Sequence, residues 1–390
     1  MPVAFVEKPL INLGIATTTK NNNPKKMFLT VLLYVFIAVV CIEIIFFCFA
    51  VLNFKNVSDS PELSNSHISL ILYTKNQATL LKKQLPNFLK QKHKNFEIVL
   101  INHASSDESL EVMEDFLKKN PTLKIIDVKN NEAFWASKKY ALTLGIKAAT
   151  HEHLVLSSIN FEPQSTSWLQ QMAAASNRKS MVIGFVKYNN YNYFYRFFYF
   201  IRIIKDYTLG KMGVYYGGTS ANVSYSKELF FSSNGFVQHM EIPFGETTLF
   251  ANEVAKKSNI AFSLHKDSFV TPLQKTSFVE WFQNQVKNDL KLRQCKLSAQ
   301  IANVILFLCH FMFYLLAPFL LFSSPSELEI PIISLIVGRY VIQYISYGVI
   351  AKKLQDLRLI IAMPLFEVFQ LLSQFLIFIS SLNSKRLYWN

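Results

Sequence analysis

Ionisable side chains are distributed along this chain in blocks, and that pattern limits its fold more than any other feature. Residues 27–54 contain one charged residue, Glu43, and the stretch from Ala299 to Leu382 contains few, whereas residues 66–298 read as an ordinary lysine-rich globular segment. A hydrocarbon core of about 30 Å is crossed by roughly 20 apolar residues, and stretches 27–54, 299–322, 330–350 and 359–381 are long enough. The first exceeds the apolar core of a signal peptide and lacks a small-residue cleavage site, so it reads as a retained helix. The expected order is a tail (1–26), a span, a linker (55–65), a soluble domain (66–275), an interfacial segment (276–298) and three further spans.

Composition removes other classes. With 51% hydrophobic and 17% charged residues, the chain is neither disordered nor an acidic solvating protein. Its net charge of +14 comes from lysines that mostly flank apolar runs. That arrangement argues for an anionic membrane face as partner and against nucleic acid. Cys41, Cys48 and Cys309 sit inside apolar runs and Cys295 just before one, which fits neither a disulfide framework nor a zinc site. Lys287, Lys291, Arg293 and Lys296 precede the second span, and Lys352, Lys353 and Arg358 follow the third. The positive-inside rule then places the soluble domain in the cytoplasm, in an inner or plasma membrane. Lys20, Lys25 and Lys26 before the first span argue the opposite. Glu43, Arg339 and Glu367 lie within spans, where a charge is costly and faces a partner or a polar cavity. Two readings stand: an Arg339–Glu367 structural pair, or a polar lining for a lipid-linked or growing-chain substrate. Tyr191 to Lys205 suits either an interfacial helix or a buried core helix.

Within the soluble segment, apolar runs at 67–73, 96–102, 123–128 and 153–157 alternate with helical stretches ending near Lys90 and at 108–119 and 137–149. This predicts an α/β domain with a mostly parallel sheet. Ligands of such sheets bind beyond the carboxyl ends of the strands, so loops 74–76, 102–107 and 158–162 should converge on one crevice.

Five segments in order carry a resemblance. Gln91 to Asp107 (QKHKNFEIVLINHASSD) and Ser137 to Ala149 (SKKYALTLGIKAA) follow the first strand and its turn. Tyr216 to Phe236 (YGGTSANVSYSKELFFSSNGF), Phe244 to Val254 (FGETTLFANEV) and Thr276 to Lys287 (TSFVEWFQNQVK) come after. Together they resemble family-2 glycosyltransferases of the GT-A fold, a nucleotide-diphospho-sugar transferase architecture, from about residue 66 into the spans. The resemblance implies transfer of a sugar from a nucleotide-sugar donor to a lipid or glycan acceptor. It also implies a Mg²⁺ or Mn²⁺ ion on an Asp-x-Asp motif neutralising the leaving diphosphate, and a carboxylate deprotonating the acceptor.

The chain departs from that pattern at the charged positions. Asn102 and His103 stand where the family has two Asp, leaving Asp107; Ser158 and Asn160 occupy the Asp-x-Asp positions; Glu246 keeps the base carboxylate, with Thr247 and Thr248 in place of an Asp pair. Neutral oxygens are poor ligands for these ions, so the metal ligands are read as lost. Trp281, Asn284 and Lys287 fill the segment that closes over the diphosphate, and Lys does not reproduce a bidentate Arg grip. The expected donor-side residues are Thr74, Asn76, Asn102, His103, Asp107, Lys138, Ser158 and Asn160; the expected acceptor or diphosphate side is Gly218, Asn222, Trp281, Asn284 and Lys287; the expected base is Glu246.

Plainer roles fit several of these. Asp107 suits a helix cap, Asn160 a turn, Glu246 a helix N-terminal acid, Gly217 and Gly218 a tight turn, Trp281 an interfacial anchor, and Lys138 and Lys139 a solvated face. Two functional readings follow. One is an active transferase with Glu246 as base and Lys138, Lys139 and Lys287 replacing the metal. The other is a pseudoenzyme serving as scaffold or partner of a membrane synthase. Transport by the spans alone is the weaker third, given the large soluble domain.

Overall fold

In the computed structural model, residues 24–55, 65–129 and 138–382 are described. Most of the expected tail and linker, with Lys20 and Ser137, lie outside the described residues. Helix α1 (Pro24–Lys55) is followed by β1 (Ile68–Thr74), α2 (Ala78–Leu89), β2 (Phe96–His103), α3 (Ser109–Leu117), β3 (Leu123–Val128), α4 (Lys138–Ala148) and β4 (His153–Ser158). Next come β5 (Phe161–Pro163), α5 (Trp168–Ser176), β6 (Met181–Gly184), α6 (Tyr193–Met212), β7 (Val223–Ser226), α7 (Lys227–Ser232), α8 (Glu246–Val254), β8 (Ile260–Ser263) and β9 (Val270–Pro272). The chain ends in α9 (Phe278–Arg293), α10 (Leu297–Ser323), α11 (Ser326–Lys353) and α12 (Met363–Leu382).

A seven-stranded sheet runs in the order β3-β2-β1-β4-β7-β6-β8. Strands β1 to β4 are mutually parallel, β7 is antiparallel to both neighbours, and β6 pairs β8 in parallel. The mostly parallel sheet expected from sequence is present. Its first four strands are nearly continuous apolar runs because both faces are covered. On one face Leu70, Leu72, Ile98 and Leu100 pack against Leu81, Leu85 and Phe88 of α2 and Trp168 of α5. On the other, Ile71, Val99, Ile101 and Leu156 meet Ala141, Leu142 and Ile146 of α4 and Phe250 of α8. Gly145 lets α4 lie close, since a Cβ there would come within 2.4 Å of Ile101 Cδ1.

Among the described residues four helices, α1, α10, α11 and α12, are long and apolar enough to cross a membrane. The last begins at Met363 rather than 359, because a 3₁₀ turn fills Leu357–Ile360 and Pro364 sits in the first helical turn, where its missing N–H costs little. Helix α6 resolves the two readings of Tyr191 to Lys205: it is the joint between domain and bundle. Its Phe197, Phe200, Ile204 and Tyr207 bury against Phe47 and Phe54 of α1 and Tyr347 and Ile350 of α11. Asn192 caps its start by accepting the Tyr195 N–H at 3.0 Å, and left-handed Gly213 ends it. The α11–α12 connection lies against the domain, held by an Arg196–Asp356 ion pair and by Lys187 donating to Gln355 at 3.0 Å.

Candidate active site

Register builds the crevice. Thr74 is level with Asn102, and Tyr73 with Ser158, so β1, β2 and β4 end together. The loops expected to converge do so, and most of their polar groups hold one another. Asn76, at φ +53°, accepts from the Ser106 N–H at 2.7 Å, while its own N–H donates to Ser105 Oγ at 3.0 Å. Asp107 accepts from the Ser109 N–H (3.0 Å) and hydroxyl (2.5 Å) with one oxygen and from the Ala78 N–H (2.9 Å) with the other, capping α3 and α2 together. Asn160 Oδ1 accepts from Gln77 Nε2 at 2.5 Å, and the Ser158 hydroxyl donates to the Tyr73 carbonyl at 3.3 Å. Asn102 donates to Asp127 at 2.7 Å. Its Oδ1 and the Thr74 hydroxyl oxygen are buried with no hydrogen-bond partner among the described residues.

Above these lies an ionic cluster. Lys138 Nζ stands 2.5 Å from Glu246 Oε1 and donates to Ser220 Oγ at 2.9 Å; that hydroxyl donates to Glu246 at 2.7 Å. The ammonium lies 5.1 Å from the centre of the Tyr73 ring, whose hydroxyl shares a 2.7 Å hydrogen bond with His103 Nδ1. Burial pushes the Glu246 carboxyl up, but the Lys138 ammonium and the Ser220 hydroxyl outweigh it and hold the group down at about 2. Burial raises the Tyr73 phenol to about 12, with the Glu246 charge adding to the effect. Gly218 positions the cluster: its φ of +99° turns the backbone toward Ser220, and a Cβ would crowd Thr247 Cγ2 at 3.2 Å.

Four expected residues do not reach this site. Asn222 is fully buried, accepting from the Trp168 indole at 3.1 Å and donating to the carbonyls of Phe185 (2.9 Å) and Ser268 (2.8 Å). It is a structural tie, since a buried amide with all its partners is closed to a ligand. Trp281 is buried among Phe194, Tyr195 and Phe198 of α6, so it is neither an interfacial anchor nor an acceptor platform. Asn284 is exposed on α9, Lys287 is half-buried there, and neither bonds to Lys138 or Glu246. Lys139 is also displaced from its expected roles: it is buried and donates to the carbonyls of His239 and Ile242, and burial lowers it to about 8. The lysine of α9 that approaches Glu246 is Lys291, one turn beyond Lys287; its side chain packs where a Cβ on Gly245 would sit 2.7 Å from Lys291 Cδ.

A cavity of about 620 Å³ opens beside Lys291, between α6 and α9 on one side and the membrane helices on the other. Glu43, His310 and Glu367 line its membrane end. There the expected Arg339–Glu367 pair is part of a larger network. Arg339 donates to Glu43 at 2.9 Å, Glu367 at 3.1 Å and Gln343 at 2.5 Å; His310 meets Glu43 at 3.1 Å, and Tyr314 donates to Glu367 at 2.9 Å. One fully buried guanidinium thereby joins all four helices, since hydrocarbon leaves no other way to satisfy it.

Residues 69–230 match the family model described as "Glycosyl transferase family 2". The soluble domain is a family-2 glycosyltransferase domain. A stretch of 88 residues, 23% of this chain, is 34% identical to a poly-beta-1,6-N-acetyl-D-glucosamine synthase of Staphylococcus epidermidis. The alignment spans 20% of that protein's length. A mannosyltransferase from Pyrobaculum calidifontis, solved with GDP-Man and Mn²⁺, superposes with a TM-score of 0.54 over 89% of this chain and 99% of its own, at 13% identity, which shows a shared GT-A fold. A Staphylococcus aureus TarS fragment superposes at a TM-score of 0.42 and 15% identity over 75% of this chain and 83% of its own.

A family-2 domain raises the question of a divalent ion, and the donor set here does not fit one. Ser158 and Asn160 present neutral oxygens already used in hydrogen bonds, and Asp107 uses both oxygens as caps. Among the described residues no group of three His, Cys, Asp or Glu side chains is placed to hold a metal. Among the described residues the crevice offers Lys138 as a cation.

Proposed function

We propose that this protein is a membrane-bound glycosyltransferase that transfers a sugar from a nucleotide-sugar donor without a divalent metal, using Lys138 as the cation for the donor diphosphate. The observation that carries this reading is the shared position of Lys138, between Glu246 and Ser220 at the mouth of the crevice. When a diphosphate enters, its charge competes with Glu246 for Lys138. Losing that ammonium raises the proton affinity of Glu246, so the carboxylate becomes a useful base only after the donor has bound. Glu246 then takes the acceptor hydroxyl proton as the new bond to the sugar's anomeric carbon forms and the bond to the diphosphate breaks. One displacement inverts the anomeric centre, and Lys138 remains with the leaving group.

The expected sides of the membrane follow the same reading. The basic ends of α9 and α11 favour a cytoplasmic domain in an inner or plasma membrane. A single crossing by α1 puts Pro24 on the opposite side, so the lysines of the N-terminal tail are outvoted. A second reading, a pseudoenzyme that supports a membrane synthase, is favoured by the neutral Ser158 and Asn160. The test is nucleoside diphosphate release from a panel of nucleotide sugars by detergent-purified protein in EDTA. Release that falls about 10²–10⁴-fold in Glu246→Gln supports the transferase. Nucleotide binding without release, equal in both proteins, supports the scaffold.

A further inference from the structure

We propose that α12 does not cross the bilayer: it lies in the leaflet on the domain side, with its apolar face in lipid and its polar face over the cavity. The ends of the helix are the first argument. At 20 residues it is about 30 Å long, so a crossing would leave Met363 and Leu382 on opposite sides of the membrane. Both ends stand at the domain instead. Met363 follows the connection that Arg196 and Lys187 hold to the domain, and is buried in one cluster with Leu354 and Leu359. At the other end Ser381 Oγ accepts from Arg293 and stands 2.7 Å from Asp289 Oδ2, and the Arg293 guanidinium lies 5.5 Å from the centre of the Phe378 ring. That end of α9 belongs to the domain, because Lys296 just past it donates its N–H to Asn252 Oδ1 of α8 at 2.7 Å and its ammonium to the Glu253 carbonyl at 3.0 Å. Between its ends α12 keeps to α9. Phe366 and Phe369 meet Phe194, which packs on Trp281 at 5.3 Å, and Ile377 shares a buried cluster with Val286 and Leu290.

The far half of the bundle supplies the second argument. There Phe36, Phe313, Leu320 and Ile332 of α1, α10 and α11 form a buried cluster, and among the described residues α12 adds no member to it. A fourth crossing helix would pack against that half. A shallow helix still joins the Arg339 brace, because Glu367 and Arg339 both have long side chains and Glu367 also meets Gln343, nearer the domain end of α11. The two faces of α12 fit the same placement. Glu367, Gln370 and Gln374 line the cavity, whereas Leu365, Leu372, Leu376 and Ile379 are exposed, the division of a helix lying at the boundary of headgroups and acyl chains. Beside them α10 exposes Val304 and Leu308, so the lipid that coats the crossing helices covers α12 as well. Three crossings follow, by α1, α10 and α11, and Leu382 lies on the same side as the domain. None of this depends on donor binding or transfer.

Two measurements on the full chain test the placement. In the first, right-side-out and inverted membrane vesicles are treated with a membrane-impermeant maleimide, with the unsubstituted chain as blank for its own cysteines. Leu382→Cys should react in the same vesicles as Leu357→Cys, which marks the domain side, and not in those where Ser326→Cys reacts, at the far turn between α10 and α11. The second reads depth at the middle of the helix. In nanodiscs made with phosphatidylcholine brominated either near the headgroup or near the chain end, the emission added by Leu372→Trp should be quenched about twofold more by the shallow bromine, as expected for a helix at the boundary. For Leu308→Trp, near the middle of α10, the order should reverse. Labelling of Leu382→Cys together with Ser326→Cys would overturn the proposal, as would quenching of Leu372→Trp in the same order as Leu308→Trp.

Discussion

The crevice and the membrane bundle each organise their charges around one cation, and the two cations differ in what they are free to do. Lys138 retains 30% of its side-chain exposure and holds one carboxylate and one hydroxyl. Arg339 retains none, and is held by Glu43, Glu367 and Gln343 from three helices with the Phe47, Phe313 and Tyr340 rings around it. The first pair can exchange partners when an anion arrives, because water and ligand reach it. The second has no alternative partner, and separating it would leave buried charges in hydrocarbon. An ion pair thus marks a site or a brace according to what else can reach it.

The largest effect is expected at the brace. Arg339→Met should cost about 3–5 kcal/mol, the usual result of orphaning buried carboxylates. It should appear as loss of monodisperse protein or a large fall in Tm in detergent. Arg339→Lys should recover little, since one ammonium cannot span Glu43 and Glu367 as a guanidinium fork does. A well-folded Arg339→Met would break the comparison.

Asn222→Leu comes next. It removes the acceptor for Trp168 and two donors to buried carbonyls, a loss of roughly 2–3 kcal/mol seen in thermal unfolding. Lys138→Met should lower Tm at neutral pH by clearly less than Arg339→Met does, while weakening nucleoside diphosphate binding by about 10- to 100-fold, the range of a charge-assisted bond. Should Lys138→Met instead destabilise as strongly as Arg339→Met, the crevice cation would be a brace too.

The smallest effect is on pH dependence. Glu246 has its folded pKa held near 2, below the ordinary value of 4.5, so its contribution to stability is full above about 4.5 and fades as pH falls toward 2. Glu97, with burial opposed by Lys124, Ser69 and Thr150, also titrates at about 2 and fades in the same window. The difference in Tm between wild type and Lys138→Met, followed from pH 6 to pH 3, isolates the Glu246 part. It should narrow as pH falls, and a constant gap would count against the ion pair.

The sheet was legible because four apolar runs of strand length alternate with helices, and burial on both faces leaves that mark in sequence. The converging loops followed from strand direction alone. What stayed hidden depends on distant partners. Arg339 was seen, but Glu43 lies 296 residues away in another span. Lys291 read as one of several flanking charges; its i,i+4 relation to Lys287 is the one sequence sign that a neighbouring turn of α9 faces the same way. Lys139 and Asn222 carry polar side chains that burial turns into ties, and periodicity gives no sign of it. Trp281 matched a motif position, yet α9 packs that face onto the aromatic side of α6.

The most direct test of metal-free donor capture is calorimetric binding of UDP and GDP to the purified protein, in EDTA and then with Mn²⁺, for wild type and Lys138→Met. Binding of at least one nucleotide is expected, the same in both buffers and weakened by Lys138→Met. Binding that appears only with Mn²⁺, and survives Lys138→Met, would contradict it.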